Sequence, residues 1–248
     1  MPHFYVKPEN IKNGLFSIDG EQVHYLSDVR RFKTGDELMI FDGLGNSYKT
    51  VLTSADKKHM TGKIISFSYQ MPEFIVNLYT AIPKGDRFEW LIEKCGELGI
   101  SNIIPINTKR SVITSFSENK SERFEKISVA ASSQCGRNDI MKIEKILDFH
   151  AACQKAAKDE NFITILPWES ASGNSVADIF SKNTKYKGAN IFIGPEGGFE
   201  TDEVDYAVNL GIKTVTLGNN ILRVETAALA ASVLVLNYGK GKDEAETQ

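Results

Sequence analysis

The pattern of apolar positions changes character once along the chain. Up to about residue 70 the apolar positions come in short runs. Leu38-Met39-Ile40-Phe41 and Ser47-Tyr48-Lys49-Thr50-Val51-Leu52 flank Asp42-Gly43-Leu44-Gly45-Asn46. That reads as two strands joined by a glycine-containing hairpin loop. Lys63 to Tyr69 is a further strand candidate, and a small β-barrel fits this stretch. Gln70-Met71-Pro72-Glu73 reads as a linker, because proline interrupts a strand pattern. Beyond residue 73, strand runs alternate with helical spacing, the pattern of a parallel sheet covered by helices. Strands are expected at Ile75–Ala81, Asn102–Ile106, Ile143–Leu147, Phe162–Leu166, Asn190–Ile193 and Thr214–Leu217. Phe88, Leu91, Ile92, Cys95 and Leu98 recur at helical spacing after Asp86, and Gly99 is the expected stop. A last helix, Glu225 to about Tyr238, is apolar on nearly every side. Such a helix must be buried all round, and a subunit interface is one way to bury it. The charged residues from Lys240 onward are expected to fray. The chain shows no internal repeat and no low-complexity tract.

Two short blocks stand where an apolar strand gives way to a loop and then a helix. They are Ile193-Gly194-Pro195-Glu196-Gly197-Gly198-Phe199 and Leu217-Gly218-Asn219-Asn220-Ile221-Leu222-Arg223-Val224-Glu225-Thr226-Ala227. In open α/β sheets ligands bind at that junction, beyond the carboxyl ends of the strands. The first block lacks the Lys-Ser/Thr ending of a P-loop and the G-x-G-x-x-G spacing of a Rossmann turn. A pocket of backbone groups and small residues, without a phosphate-binding lysine, suits a ligand without phosphates. S-adenosylmethionine is such a ligand. The glycines have a plainer reading as well, a strand-to-helix turn that needs positive φ. The second strand-to-glycine ending, about 20 residues on, favours two neighbouring strand ends lining one pocket.

Composition narrows the class. Of 248 residues, 42% are hydrophobic and 25% charged, ordinary for a soluble globular protein. No apolar run approaches the roughly 20 residues needed to span a bilayer. The start, Met1-Pro2-His3-Phe4-Tyr5-Val6, lacks a basic region followed by an apolar one, so a cytoplasmic protein is expected. Three cysteines without a C-x-x-C pair argue against a disulfide framework and against zinc, and Cys95 is expected to be a buried thiol. The histidines show no metal-binding spacing, and no G-x-S-x-G context supports a hydrolase. The net charge of −3 counts against nucleic-acid binding. Basic residues cluster only locally, at Arg30, Arg31 and Lys33, at Lys84 and Arg87, at Lys109 and Arg110, and at Arg137 and Lys142.

The two glycine blocks resemble the SPOUT (α/β-knot) superfamily of RNA methyltransferases. Within it the chain is similar to the family that methylates N3 of a uridine in bacterial small-subunit (16S) ribosomal RNA. The likeness runs along nearly the whole chain. It includes His24-Tyr25-Leu26-Ser27 with Val29-Arg30-Arg31 and Gly35-Asp36. It includes Lys84-Gly85-Asp86-Arg87-Phe88-Glu89-Trp90 with Lys94 and Glu97-Leu98-Gly99. It includes Gln134-Cys135-Gly136-Arg137-Asn138. One departure is Ser133, where the family usually has Glu.

The resemblance implies an α/β fold. Residues 1–70 would form a PUA-like β-barrel that grips RNA. Residues 73–248 would form a SPOUT trefoil-knot domain with a parallel sheet that binds S-adenosylmethionine and dimerises. Cofactor contacts are expected from Leu166, Pro167, Gly194, Glu196, Gly197, Gly198, Leu217, Gly218, Ile221, Leu222, Arg223, Thr226 and Ala227. RNA contacts are expected from Arg30, Arg31, Lys84, Arg87, Arg110 and Arg137, with no metal and no membrane. The partner would be small-subunit ribosomal RNA, in an assembled subunit, with a second copy of the chain as a homodimer. Arg223 and Glu225 are the expected catalytic residues. Arg223 would face the reacting base, and Glu225 or water would take its proton. The plainer reading makes Arg223 a loop brace, paired with Glu225 or Glu196. Rival functions are a SPOUT enzyme acting on tRNA or a ribose 2′-hydroxyl, and a non-catalytic RNA-binding protein.

Overall fold

The computed structural model describes residues 3–171, 173–181 and 186–240, so the expected fraying after Lys240 lies outside the described residues. The chain divides into two compact units, Met1–Met71 with Val129–Ile140, and Pro72–Ser128 with Met141–Gln248. Residues 129–140 fall in the first unit, whereas the expected boundary puts all of 73–248 in the second. Hydrogen bonds explain the difference. Gly45 N–H donates to the Asn138 carbonyl at 3.0 Å, and Ile140 N–H donates to the Gly43 carbonyl at 3.3 Å.

The first unit is a six-stranded sheet. Its strands are β1 (His3–Tyr5), β2 (Ile11–Lys12), β3 (Leu15–Asp19), β4 (Glu37–Phe41), β5 (Asn46–Ala55) and β6 (His59–Tyr69), in the order β1-β4-β5-β6-β3-β2. A one-turn helix, α1 (Glu21–His24), follows β3. Register shifts at Lys49/Thr50 and Leu52/Ser54 bend the long β5–β6 pair, as bulges do. The sheet curls around Phe16, Ile18, Leu26, Leu38, Ile40, Leu52 and Met60. Gly62 is forced by this packing: a Cβ there would lie 2.3 Å from the Phe16 ring. Ser133 Oγ donates to the Val129 carbonyl at 2.9 Å, so this substitution for glutamate is satisfied within its own helix.

The second unit contains β7 (Ile75–Ala81), α2 (Arg87–Leu98), β8 (Asn102–Asn107), α3 (Glu118–Cys135), β9 (Lys142–Ile143), β10 (Leu147–Asp148) and α4 (Phe149–Ala157). It continues with β11 (Phe162–Pro167), α5 (Val176–Ser181), β12 (Gly188–Ile193), α6 (Thr201–Asn209), β13 (Lys213–Val215) and α7 (Val224–Lys240). The last turns of α3, from Val129, belong to the first unit. The strand order is β10-β8-β7-β12-β11-β13, with β9 beside β8, and every pairing is parallel. Alternate residues feed two cores. Leu78, Ile165 and Ile191 pack with α2, α5 and α7. Tyr79, Leu166 and Phe192 pack with α4 and α6. Gly99 ends α2 at φ 96°, the left-handed stop that glycine supplies.

Two expectations are corrected. Ile143–Leu147 is not one strand but two two-residue strands, β9 and β10, because only their ends pair with β8. The last strand stops at Val215; Thr216 keeps only an isolated parallel bridge to Ser175, and Leu217 stands in the loop. Within the single chain the final helix keeps an open flank. Thr226, Val233, Asn237 and Tyr238 stay exposed along one flank. Cys95 and Cys153 are buried and Cys135 is exposed. Burial pushes the Cys95 thiol upward and the Cys153 thiol up to about 12, with nearby Glu203 adding to the second. No helix of the described residues is long and apolar enough to cross a membrane.

A row of polar side chains crosses the sheet at one register. Asn102 Nδ2 donates to Asn77 Oδ1 (2.7 Å), and Asn77 Nδ2 donates to Asn190 Oδ1 (2.9 Å). Asn190 Nδ2 donates to Thr164 Oγ1 (3.0 Å). The row links β8, β7, β12 and β11, and Asn190 is buried within it. Such a network stabilises only when every member is satisfied. Asn190→Leu strands partners on both sides. It should cost about 2–4 kcal/mol, seen as a lower chemical-denaturation midpoint with an unchanged slope. An unaltered midpoint would show that the row contributes nothing.

Candidate functional site

A cavity of about 260 Å³ opens at the carboxyl ends of β11, β12 and β13. Three loops wall it. The loop after β11 supplies Pro167, Trp168 and Glu169. The loop after β12 supplies Gly194 to Phe199. The loop after β13 supplies Thr216, Leu217, Gly218, Asn220, Ile221 and Leu222, with Val224 and Ala227 of α7 closing it. Among the described residues its charged wall residues are Glu169 and Glu196. A negatively lined cavity without lysine or arginine disfavours phosphates and favours a cationic ligand.

Each glycine of the first block is there for its own reason. A Cβ on Gly194 would lie 3.1 Å from the Phe199 ring, and one on Gly197 would lie 3.1 Å from Arg110 Cδ. Gly198 has φ +70° and would place a Cβ 2.8 Å from Glu169 Oε1. Its N–H donates to the Pro195 carbonyl at 2.9 Å, closing a tight turn. Phe199 anchors the loop by packing its ring against Phe149, 5.4 Å between centroids. Gly218 differs: φ is +118° and nothing lies within 4 Å of a Cβ there.

Of the expected cofactor residues, Pro167, Gly194, Glu196, Gly197, Gly198, Leu217, Gly218, Ile221, Leu222 and Ala227 come together on the cavity wall. Leu166, Arg223 and Thr226 do not line it. Leu166 is fully buried in the core beneath α4 and α6. Thr226 is exposed on α7. Trp168, Glu169, Ile193, Pro195, Phe199, Thr216, Asn220 and Val224 line it without having been singled out. Most are neighbours of the residues that were. Trp168 and Glu169 carried a signal only in following the third strand end.

Arg223 is exposed and stands between two wall residues, Leu222 and Val224. Neither carboxylate proposed for a loop brace meets it. Glu196 Oε1 accepts the Lys84 backbone N–H at 3.2 Å. Glu225 Oε1 lies 3.9 Å from Arg87 Nε. Glu225 Oε2 is buried and accepts no hydrogen bond among the described residues. The expected RNA residues divide. Arg30 and Arg31 are exposed in the first unit. Arg137 is nearly buried there and forked onto Asp139, Nη2 to Oδ2 at 2.5 Å and Nε to Oδ1 at 3.1 Å. Lys84, Arg87 and Arg110, in the second unit, contact Glu196, Glu225 and Gly197 respectively. Among the described residues no cluster of His, Cys, Asp and Glu can hold a metal ion.

Comparison with known proteins places this architecture. Residues 70–236 match the RNA methyltransferase domain family, and residues 18–65 match the RNA methyltransferase PUA domain. The Ribosomal RNA small subunit methyltransferase E of Bacillus subtilis is 33% identical over 226 residues, 87% of each chain. Its Synechocystis counterpart is 32% identical, covering 91% of this chain and 74% of the other. The Neisseria gonorrhoeae enzyme of that name, solved bound to S-adenosyl methionine, superposes with a TM-score of 0.83 at 28% identity, over 94% of this chain and 95% of its own. The α/β class with a parallel sheet and the N-terminal PUA domain are the expected ones. With its cavity at the ends of β11, β12 and β13, the chain belongs to the ribosomal RNA small subunit methyltransferase E family of RNA methyltransferases.

Proposed function

We propose that this protein transfers the methyl group of S-adenosylmethionine to N3 of one uridine in small-subunit ribosomal RNA. The observation that carries the reading is the cavity itself. Glycine loops and apolar side chains wall it, and among the described residues its charges are carboxylates. S-adenosylmethionine has no phosphate and carries positive sulfonium and ammonium groups, so it fits that lining. Pro167, Gly194, Glu196, Gly197, Gly198, Leu217 and Gly218 would hold it, with Ile221, Leu222 and Ala227 as apolar walls. When bound it supplies an electrophilic methyl group on sulfur.

The residues beside the cavity match what the acceptor needs. Uridine N3 is a weakly acidic imide and becomes nucleophilic only as it loses its proton. Among the described residues no donor meets one carboxylate oxygen of Glu225, and as a general base Glu225 would accept that proton. Arg87 steadies the other oxygen. Arg223 would donate to a uracil carbonyl and stabilise the anion that develops, as an oxyanion hole does. A base must leave its stack to reach such a pocket, so the substrate is an accessible stretch of RNA, in our reading within an assembled subunit. The PUA domain, residues 1–70 with Arg30 and Arg31, would grip that RNA. Residues 73–248 would carry the chemistry in the cytoplasm.

The open flank of α7 supports a homodimer. Val233 and Tyr238 are 47% and 37% exposed on that flank. A second copy would cover it, and Val233→Lys should shift the species seen by light scattering from dimer to monomer. A wild-type monomer would refute the dimer.

Gly218→Val places a branched side chain at φ +118°, a strain of about 1–3 kcal/mol. The side chain would also enter the open space beside Gly218 on the cavity wall, so S-adenosylmethionine affinity by calorimetry should fall roughly tenfold or more. Undiminished affinity would move the cofactor elsewhere. Arg223→Lys keeps the charge but loses the planar fork. The single-turnover rate at saturating cofactor should fall about a hundredfold or more, with cofactor affinity little changed. A near-normal rate with weakened cofactor binding would remove Arg223 from the chemistry.

A further inference from the structure

Arg110 does not line the cavity, yet its side chain reaches the glycine loop. It stands in the segment that leaves β8. Its Nη1 donates to the Gly197 carbonyl at 2.5 Å, and its Nε donates to Glu200 Oε1 at 2.8 Å. Its Cδ occupies the space beside Gly197 that a Cβ would crowd. A second tie runs next to it. Glu203 is 1% exposed. Its Oε1 accepts the Lys109 backbone N–H, and its Oε2 accepts the Glu200 backbone N–H, both at 2.9 Å. Lys109 Nζ also pairs with Asp202. The segment leaving β8 is thus clasped to the first turn of α6, and the glycine loop is held between β12 and that clasp.

We infer that Arg110 is a positioning residue for the cofactor and not an RNA contact. A loop with Gly194, Gly197 and Gly198 has little stiffness of its own. Fixing it beforehand removes an ordering cost from binding. Arginine suits the task because one planar group meets a carbonyl and a carboxylate at once, whereas lysine offers a single point of charge. Arg110 and Glu200 side chains are 45% and 39% exposed, and an ion pair that open adds little to overall stability. Its effect should therefore fall on the shape of the loop. The inference rests on the reading of the cavity as the S-adenosylmethionine site.

The test measures cofactor binding by calorimetry, steady-state kinetics with each substrate, and thermal unfolding, for Arg110→Ala, Arg110→Lys, Glu200→Gln and the Arg110→Ala/Glu200→Gln pair. Arg110→Ala should raise Kd and KM for S-adenosylmethionine about tenfold. KM for RNA and kcat at saturating cofactor should stay within about twofold. The melting temperature should fall by no more than about 4 °C. Arg110→Lys should recover part of the affinity. Glu200→Gln should weaken cofactor binding less, and the paired variant should be no worse than Arg110→Ala alone, since both act through one contact. Weakened RNA binding with unchanged cofactor affinity would overturn the inference and return Arg110 to the RNA surface. Fully additive losses in the pair would overturn it too, even if Arg110→Ala folds poorly. A wild-type protein that binds no S-adenosylmethionine would instead sink the cofactor reading itself, whatever the variants do.

Discussion

The candidate site depends on one strand that has no open side. All six residues of β12, Gly188 to Ile193, are buried. The strand is hydrogen-bonded to β7 and β11 along its two edges and covered by helices on both faces. At Gly188 the packing leaves no room even for a Cβ, which would lie 2.3 Å from the Ile75 carbonyl oxygen. A strand enclosed in this way can present groups to a ligand only where it ends. The asparagine row across β8, β7, β12 and β11 lies in the amino-terminal halves of these strands and links them at one register. Register in turn sets which residue of each strand is last, and so which loops share the cavity.

From that frame the chemistry follows in layers. Phe199 anchors the glycine loop to the core, and the Pro195–Gly198 turn shapes it. The clasp from Lys109 and Arg110 fixes its outer side. Acceptor chemistry would come from the loop and helix that close the cavity, where Arg223 and Glu225 stand two residues apart. One is exposed, and the other has an uncommitted carboxylate oxygen. The cavity wall is mostly backbone and apolar surface, while the proposed catalytic charges belong to α7 and the residue before it.

Much of this was legible in the residues. Alternating strand and helix patterns announced the parallel sheet, and Gly99 marked the end of α2 because a left-handed stop has a glycine signature. The two strand-to-glycine endings located the cavity, since ligands gather at such ends. Other features were hidden because they depend on partners distant in sequence. Arg110 reads as one basic residue among several until its guanidinium is seen on Gly197, 87 positions away. Arg137 likewise reads as a surface cation, and is in fact nearly buried against Asp139. Gly197 looks like a residue that lets a cofactor approach, whereas its missing side chain makes room for Arg110. The segment 129–140 joined the first unit through backbone bonds to Gly43 and Gly45, which no composition shift marks.

Whether this cavity serves methylation of uridine N3 is decided most directly by nucleoside mass spectrometry of small-subunit ribosomal RNA. The RNA should come from cells lacking the protein and from cells in which it has been restored. The account predicts that 3-methyluridine disappears from one position on deletion and returns with the intact protein but not with the Arg223→Lys form. Unchanged 3-methyluridine, with a different methylated nucleoside lost in its place, would contradict it.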